Sequence, residues 1–172
     1  MLNLHILNCD EFTLSEDDIH RVAEIMVHPK VLEYEPDYRN LQNFDYIYRE
    51  CLRSYRNLER GKHVSLVVNF NRVLVGFLGI HRQPPPRSHV GDLGMAVHPD
   101  YWRKGIGTKP LTTGIELATK IGLTQLEADS LAYNDGMRGL AEKTGFVYVE
   151  TRKGVANMFG RMEDMIHYVR VV

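Results

Sequence analysis

The stretch that decides the fold runs from Met95 to Thr108 and reads Met-Ala-Val-His-Pro-Asp-Tyr-Trp-Arg-Lys-Gly-Ile-Gly-Thr. An apolar run ends at His98-Pro99, a basic turn spaced by Gly105 and Gly107 follows, and a helical pattern then begins. That order predicts a strand, a loop and a helix N-terminus. The first turn of a helix carries unpaired N–H groups and a partial positive charge. Glycines let an anionic group approach the backbone closely. Arg103 and Lys104 add full charge beside the turn. The chemistry that suits such a turn is a pyrophosphate cradle. A plain helix-starting turn has the same local sequence, and Arg103 and Lys104 also read as solvated surface charge.

Two common phosphate motifs do not fit. The Walker spacing Gly-x-x-x-x-Gly-Lys-Ser/Thr does not occur here. The dinucleotide pattern Gly-x-Gly-x-x-Gly fails because Pro110 stands at the third glycine. Pro110 falls in the first turn of the expected helix, where no intrahelical N–H partner is lost.

Outward from this turn, strands are expected at Leu2–Ile6, Val64–Phe70, Val73–Ile80, Val90–Val97, Leu123–Ser130, Phe146–Glu150 and Met165–Val171. Ser15 opens a capping box before the periodic residues Ile19, Val22, Ala23 and Met26. Phe44, Ile47, Tyr48, Cys51, Leu52 and Tyr55 give a second amphipathic helix. Further helices are expected over about Ile106–Ile121 and Asp135–Thr144. Residues 31 to 40 and Arg82–His89 read as loops. The resulting order, β-α-α-β-β-β-α-β-α-β-β, is that of an α/β domain spanning residues 1–172.

Composition narrows the function. The 172 residues carry 21 basic and 22 acidic side chains, a formal net charge of −1. No basic excess recruits nucleic acid. No run approaches the ~20 apolar residues of a membrane span. The short apolar start, Met1–Leu7, runs into Asp10 and Glu11 and does not read as a signal peptide. Cys9 and Cys51 form no CxxC pair, which suits reduced thiols and a cytoplasmic protein. Eight histidines are scattered without ligand spacing, so no metal is expected.

A second block lies downstream: Asn134, Leu140, Lys143, Gly145 and Phe146, spaced Asn-x5-Leu-x2-Lys-x-Gly-Phe. Together with Val97-His98-Pro99-Asp100-Tyr101 and the two glycines, it resembles the GNAT N-acetyltransferase superfamily over most of residues 64–172. The signature's first position, Gln or Arg in the family, holds Trp102. The resemblance implies a mixed, centrally splayed sheet with helices on both faces and acetyl-CoA as acyl donor. It implies that Met95, Ala96 and Val97 lie along the pantetheine arm, with the Val97 N–H facing the thioester carbonyl. Arg103, Lys104, Gly105, Ile106, Gly107 and Thr108 would hold the pyrophosphate, and Asn134 and Lys143 would line the arm. As residues alone, Val97 is an ordinary strand position and Asn134 a helix N-cap.

The acid and base follow from the same resemblance. In the ribosomal-protein branch a glutamate base lies five residues before the asparagine, and Asp129 holds that position. Asp92, on the preceding strand, is a second candidate. At pH 7 only about one part in a thousand of a free primary amine is neutral, so a base helps. An exposed strand-end carboxylate is the plainer reading of both. The usual acid, a tyrosine, is replaced by Ala141, with Ser130, Tyr133 and Tyr148 as substitutes. Glu33, Tyr34 and Tyr38 sit in an acidic, aromatic loop suited to a cationic amine, or to solvent.

The expected activity is acetyl transfer to a primary amine, either a small molecule or a peptide N-terminus, by direct attack in a ternary complex. The rival readings are a non-catalytic acyl-CoA-binding module and a nucleotide-phosphate site. The apolar C-terminal strand, Met165 to Val172, either pairs across a homodimer or finishes the sheet.

Overall fold

The computed structural model describes residues 1–6, 14–36, 43–56 and 62–172. Tyr38 and Cys9 lie outside these residues. The elements run β1 (Leu2–Ile6), α1 (Glu16–Met26), α2 (Pro29–Leu32), α3 (Phe44–Arg56), β2 (His63–Phe70), β3 (Val73–Arg82) and β4 (Val90–Val97). A short 3-10 turn (Pro99–Tyr101), α4 (Thr108–Lys120), β5 (Gln125–Leu131), α5 (Asp135–Lys143), β6 (Val147–Met158) and β7 (Arg161–Val171) complete the chain.

Local chemistry sets the boundaries. At α1, the Ser15 hydroxyl accepts the Asp18 N–H at 3.1 Å, and the Asp18 carboxylate accepts the Ser15 N–H at 3.0 Å. This is the reciprocal capping box that satisfies two orphan donors. Asn71 and Arg72 both adopt positive φ between β2 and β3, as a tight two-residue hairpin requires.

Seven strands form one sheet in the order β1-β2-β3-β4-β5-β7-β6. The β4–β5 pair is parallel and the other neighbours run antiparallel. Helices cover both faces. Leu111, Ile115 and Ala118 of α4 pack on Leu66, Leu78 and Ile80 in the main core, which also takes in Ala141 of α5. On the opposite face Ile19 and Ile25 of α1 cluster with Val67 and Leu74, flanked by Cys51, Phe77 and Ala96. The alternation of Leu66 and Val67 between the two clusters is the period-two rule of a strand buried on both sides.

Three elements differ from the sequence expectation. A single helical turn, α2, occupies part of the expected loop; His28 caps it by accepting the Lys30 N–H through Nδ1 at 3.2 Å. β6 continues past Glu150 to Met158, because a bulge between Arg152 and Ala156 absorbs extra residues. The Asp164 carboxylate fastens that bulge by accepting the Gly154 N–H at 2.9 Å and Lys153 Nζ at 2.7 Å. β7 starts at Arg161 and not Met165, since Phe159 and Gly160, both at positive φ, make a second two-residue turn.

Candidate active site

The site begins where β4 leaves β5. Pairing between them covers only Val90–Asp92 with Gln125–Glu127. From Leu93 to Val97, β4 keeps β3 on one side and opens a cleft of about 940 Å³ on the other. Direction along this edge is fixed by one bond: the His98 N–H donates across to Val75 O at 2.7 Å. Successive strand residues turn their backbone groups to opposite sides. Val97 and Met95 therefore present theirs to the cleft, and Ala96 presents its own to β3. Ala96 lines the cleft through its side chain only. The Val97 carbonyl accepts Trp102 Nε1–H at 2.6 Å, so the indole at the atypical signature position ties the turn to the strand end.

The turn fits a pyrophosphate. Gly107 offers α4 no side-chain cap; in the first turn Thr108 N–H donates to Gly105 O at 3.4 Å and Pro110 has no N–H, so the Lys109 N–H is the first-turn donor turned to an anion. Gly105 has φ +72°, a conformation glycine adopts without strain. At Gly107 a Cβ would stand 3.3 Å from Leu140 Cδ2, so here glycine serves close packing between α4 and α5. Arg103, Gly105, Ile106, Gly107 and Thr108 all line the cleft, although the Ile106 side chain is buried and only its backbone can serve a ligand. Lys104 is placed differently. It lies outside the cleft wall, with Nζ 5.3 Å from the centroid of the Tyr101 ring.

On the far wall, Asn134 caps α5 by accepting the Met137 N–H at 3.0 Å and also lines the cleft, as does Lys143. The cap and a ligand contact are compatible, because the cap uses only the carboxamide oxygen. Across the mouth, Trp102, Tyr34 and Tyr133 form a chain of ring contacts at 5.7 and 5.8 Å. The Tyr133 hydroxyl donates to Glu33 O at 2.7 Å. Tyr34 lines the cleft; Glu33 does not, and its backbone serves Tyr133 instead.

Neither proposed base is a free carboxylate. Asp129 lines the cleft, but its Oδ1 takes hydrogen bonds from Arg152 and from His167 Nδ1, the latter at 2.8 Å. Burial raises its pKa, yet the bonds and charges of Arg152 and His167 outweigh that and hold it below the ordinary carboxylate value. A carboxylate so held is a weaker base than a free one. Asp92 lies outside the cleft, and its Oδ1 accepts Gln83 Nε2–H at 2.6 Å. Its cross-strand partner is His81. His81, which no sequence motif marks, folds over Gly79: Nε2 is 2.9 Å from where a Gly79 Cβ would be. Its ring lies 5.4 Å from that of His63 on β2.

The acid position is also settled in space. Ala141 is fully buried in the main core. Among the substitutes, Tyr148 is exposed on β6 and bonded to Thr151 Oγ1 at 3.1 Å. Ser130 is buried at the cleft wall. Tyr133 is raised above the usual phenol value by burial and by Glu163. Among the described residues no group of His, Cys, Asp and Glu is placed to hold a metal ion. No helix there is long and apolar enough to cross a membrane.

Comparison with known proteins matches this geometry. The chain is similar to a GNAT-family acetyltransferase from Streptococcus pneumoniae, with 18% identity, full coverage of both chains and a TM-score of 0.78. It is similar to an acetyltransferase from Salmonella typhimurium solved with its cofactor acetyl-CoA, with 18% identity, coverage of 99% and 93% and a TM-score of 0.78. It is also similar to a ribosomal-protein-alanine N-acetyltransferase from Brucella melitensis, with 20% identity, coverage of 99% of each chain and a TM-score of 0.79. No curated protein matches. The acetyltransferase (GNAT) family matches residues 20–146, and with well over half of its length inside that match the chain belongs to this family.

Proposed function

We propose that the chain transfers an acetyl group from acetyl-CoA to the nitrogen of a primary amine by direct attack in a ternary complex. The observation that carries this reading is the open edge of β4 running into the uncapped N-terminus of α4. Acetyl-CoA supplies an activated acyl group as a thioester. Met95 offers its edge N–H and C=O groups to the amides of its arm. Arg103 and the backbone from Gly105 to Thr108 hold its pyrophosphate, with Lys104 adding field from outside, and Asn134 and Lys143 border its path.

The amine lone pair attacks the carbonyl carbon; a C–N bond forms, and the C–S bond breaks with its electrons leaving on sulfur. The Val97 N–H donates to the carbonyl oxygen as that oxygen gains charge. A thiol with pKa near ~8.5 leaves without help from an acid, which accommodates Ala141. The amine proton passes through water toward His81, whose ring lies over Gly79, three residues along β3 from Gly76, the partner of Val97. Asp92, its cross-strand neighbour, and His63 border that imidazole. Asp129 acts by holding Arg152 and His167.

The test is thiol release over a panel of primary amines, run on the wild type and on His81→Gln. The variant is expected to lose about 10²-fold in kcat/KM and to flatten its rise with pH. An unchanged pH profile would remove His81 from the mechanism.

A further inference from the structure

Two His-Pro dipeptides, His28-Pro29 and His98-Pro99, build the same local structure. Their histidines have closely similar backbone angles, φ −63° and ψ 128° at His28 and φ −56° and ψ 136° at His98. In each, Nδ1 accepts the N–H two residues on, from Lys30 at 3.2 Å and from Asp100 at 3.3 Å. The first bond caps α2 and the second caps the 3-10 turn. The two rings meet with their centroids 5.0 Å apart and their planes at 73°. An imidazole accepts at Nδ1 only when that nitrogen carries no proton, so both caps need their rings neutral.

The turn that His98 caps leads into the cofactor site. His98 N–H donates to Val75 O at 2.7 Å, Tyr101 N–H to His98 O at 2.9 Å and Trp102 N–H to Pro99 O at 3.1 Å. Trp102, which closes the turn, and Arg103 after it line the cleft. His98 itself lines neither the cleft nor the second cavity, of about 400 Å³, which α1, α3 with Cys51 and the cross-strand glycines Gly79 and Gly94 enclose. It therefore acts through the turn. Beyond the other ring, the chain after α2 brings Tyr34 to the same cleft and against Trp102.

Charged groups face the His98 ring from three elements. Arg21 and Glu24 do so from α1, bonded to each other at 2.8 Å. His28 does so from the start of α2. On the 3-10 turn, Asp100 Oδ2 lies 3.7 Å from His98 Nδ1, and the Tyr101 ring, with Lys104 over it, lies 6.1 Å from the imidazole. Burial first, then Arg21 and His28, disfavour a proton more than Asp100 and Glu24 favour one, and the imidazole is held below its ordinary value. We propose that His98 is a positioning residue for acetyl-CoA: its neutral ring, set against His28, holds the turn in the shape that presents Trp102 and Arg103 to the cofactor. A proton on Nδ1 ends the bond from the Asp100 N–H, and the new N–H turns to the Asp100 carboxylate, which releases the cap. This role rests on cofactor binding at the turn and not on the transfer step proposed above.

The experiment follows CoA binding by calorimetry, and the emission of Trp102, the only tryptophan in the sequence, between about pH 5.5 and pH 8. An asparagine side-chain oxygen also accepts the N–H two residues on, and it does not titrate, so His98→Asn keeps the cap at every pH. Its CoA affinity is expected to stay within about twofold of the wild type at pH 8 and to be about fivefold tighter than the wild type at about pH 5.5, the size of a lost cap. Comparison at equal pH cancels the titration of CoA itself. His98→Ala, without the cap, is expected to bind about fivefold more weakly than the wild type at pH 8. Emission of the free wild type should show a transition below the ordinary imidazole value of 6.5 that His98→Asn abolishes. Asp100→Asn, at an exposed side chain, removes the carboxylate that attracts the proton and should move that transition to lower pH; this variant decides the matter if His98→Asn does not fold. Wild type and His98→Asn that bind CoA in parallel across the range overturn the proposal, as does a transition that Asp100→Asn leaves in place. A transition that persists in His98→Asn and vanishes in His28→Asn also overturns it. A wild type that binds CoA and acetylates no amine overturns the transfer step and leaves this role standing.

Discussion

Asp129 takes two donors on a single oxygen, from Arg152 and His167, and its pKa is lowered as a result, against the pull of burial. Its ionised form is therefore favoured more in the folded than in the unfolded chain. The stability this supplies is present above the unfolded value of about 4 and is lost as pH falls through the folded one. Thermal melts of the wild type and Asp129→Asn should differ most near neutral pH, with the gap closing as pH drops below about 4. As a holder of its neighbours, Asp129 should cost less in kcat/KM on substitution than the ~10²–10⁴-fold of a lost general base. A loss in that range, with a flattened pH profile, would return the base role to Asp129. Cys51 makes a second test at this scale. With its thiol pushed up to about 11, alkylation by iodoacetamide at pH 8 should be slow in the native protein and fast after denaturation. Rapid native alkylation would contradict the burial of the α3 wall.

At the scale of elements, the β4–turn–α4 unit is legible in the sequence because its signals are local: an apolar run, a glycine at positive φ and Pro110 in the first helical turn. The hairpin at Asn71-Arg72 is legible for the same reason. The far half of the β6–β7 hairpin is not. Its bulge depends on Asp164 reaching back across the ladder to Gly154, and its turn places Phe159, a residue type that does not advertise a positive φ, before Gly160. The site divides along the same line. The cofactor half follows one contiguous stretch and a spaced block, whereas the second cavity is made by α1, α3 and a pair of glycines that meet only across the sheet. His81 carries no local sequence signal, because the place of its ring is set by Gly79 and not by a motif. Trp102, atypical for the signature, still braces the turn through its bond to Val97 O. Trp102→Phe removes that part-buried hydrogen bond. It should lower stability by about 0.5–1.5 kcal/mol and raise the KM for acetyl-CoA with a smaller change in kcat. Wild-type KM in that variant would show that the turn is held without the indole.

For the whole molecule, the decisive feature is a sheet that stays joined at Val90–Asp92 and parts beyond it. The parting exposes a strand edge to one face's cofactor cleft, and the cavity under α1 and α3 meets that cleft at Gly94. Two spaces thus adjoin along the β4 edge, an arrangement that suits the proposed direct transfer. Bound acetyl-CoA should also raise the melting temperature, by mass action on the folded state, and ATP at equal concentration should raise it less. The most direct measurement incubates the purified protein with acetyl-CoA and a primary amine and follows free thiol together with the mass of the amine. Direct transfer predicts thiol release in step with an amine heavier by one acetyl group. Acetyl-CoA bound at equilibrium with neither thiol nor acetylated amine formed, across the amine panel, would contradict it.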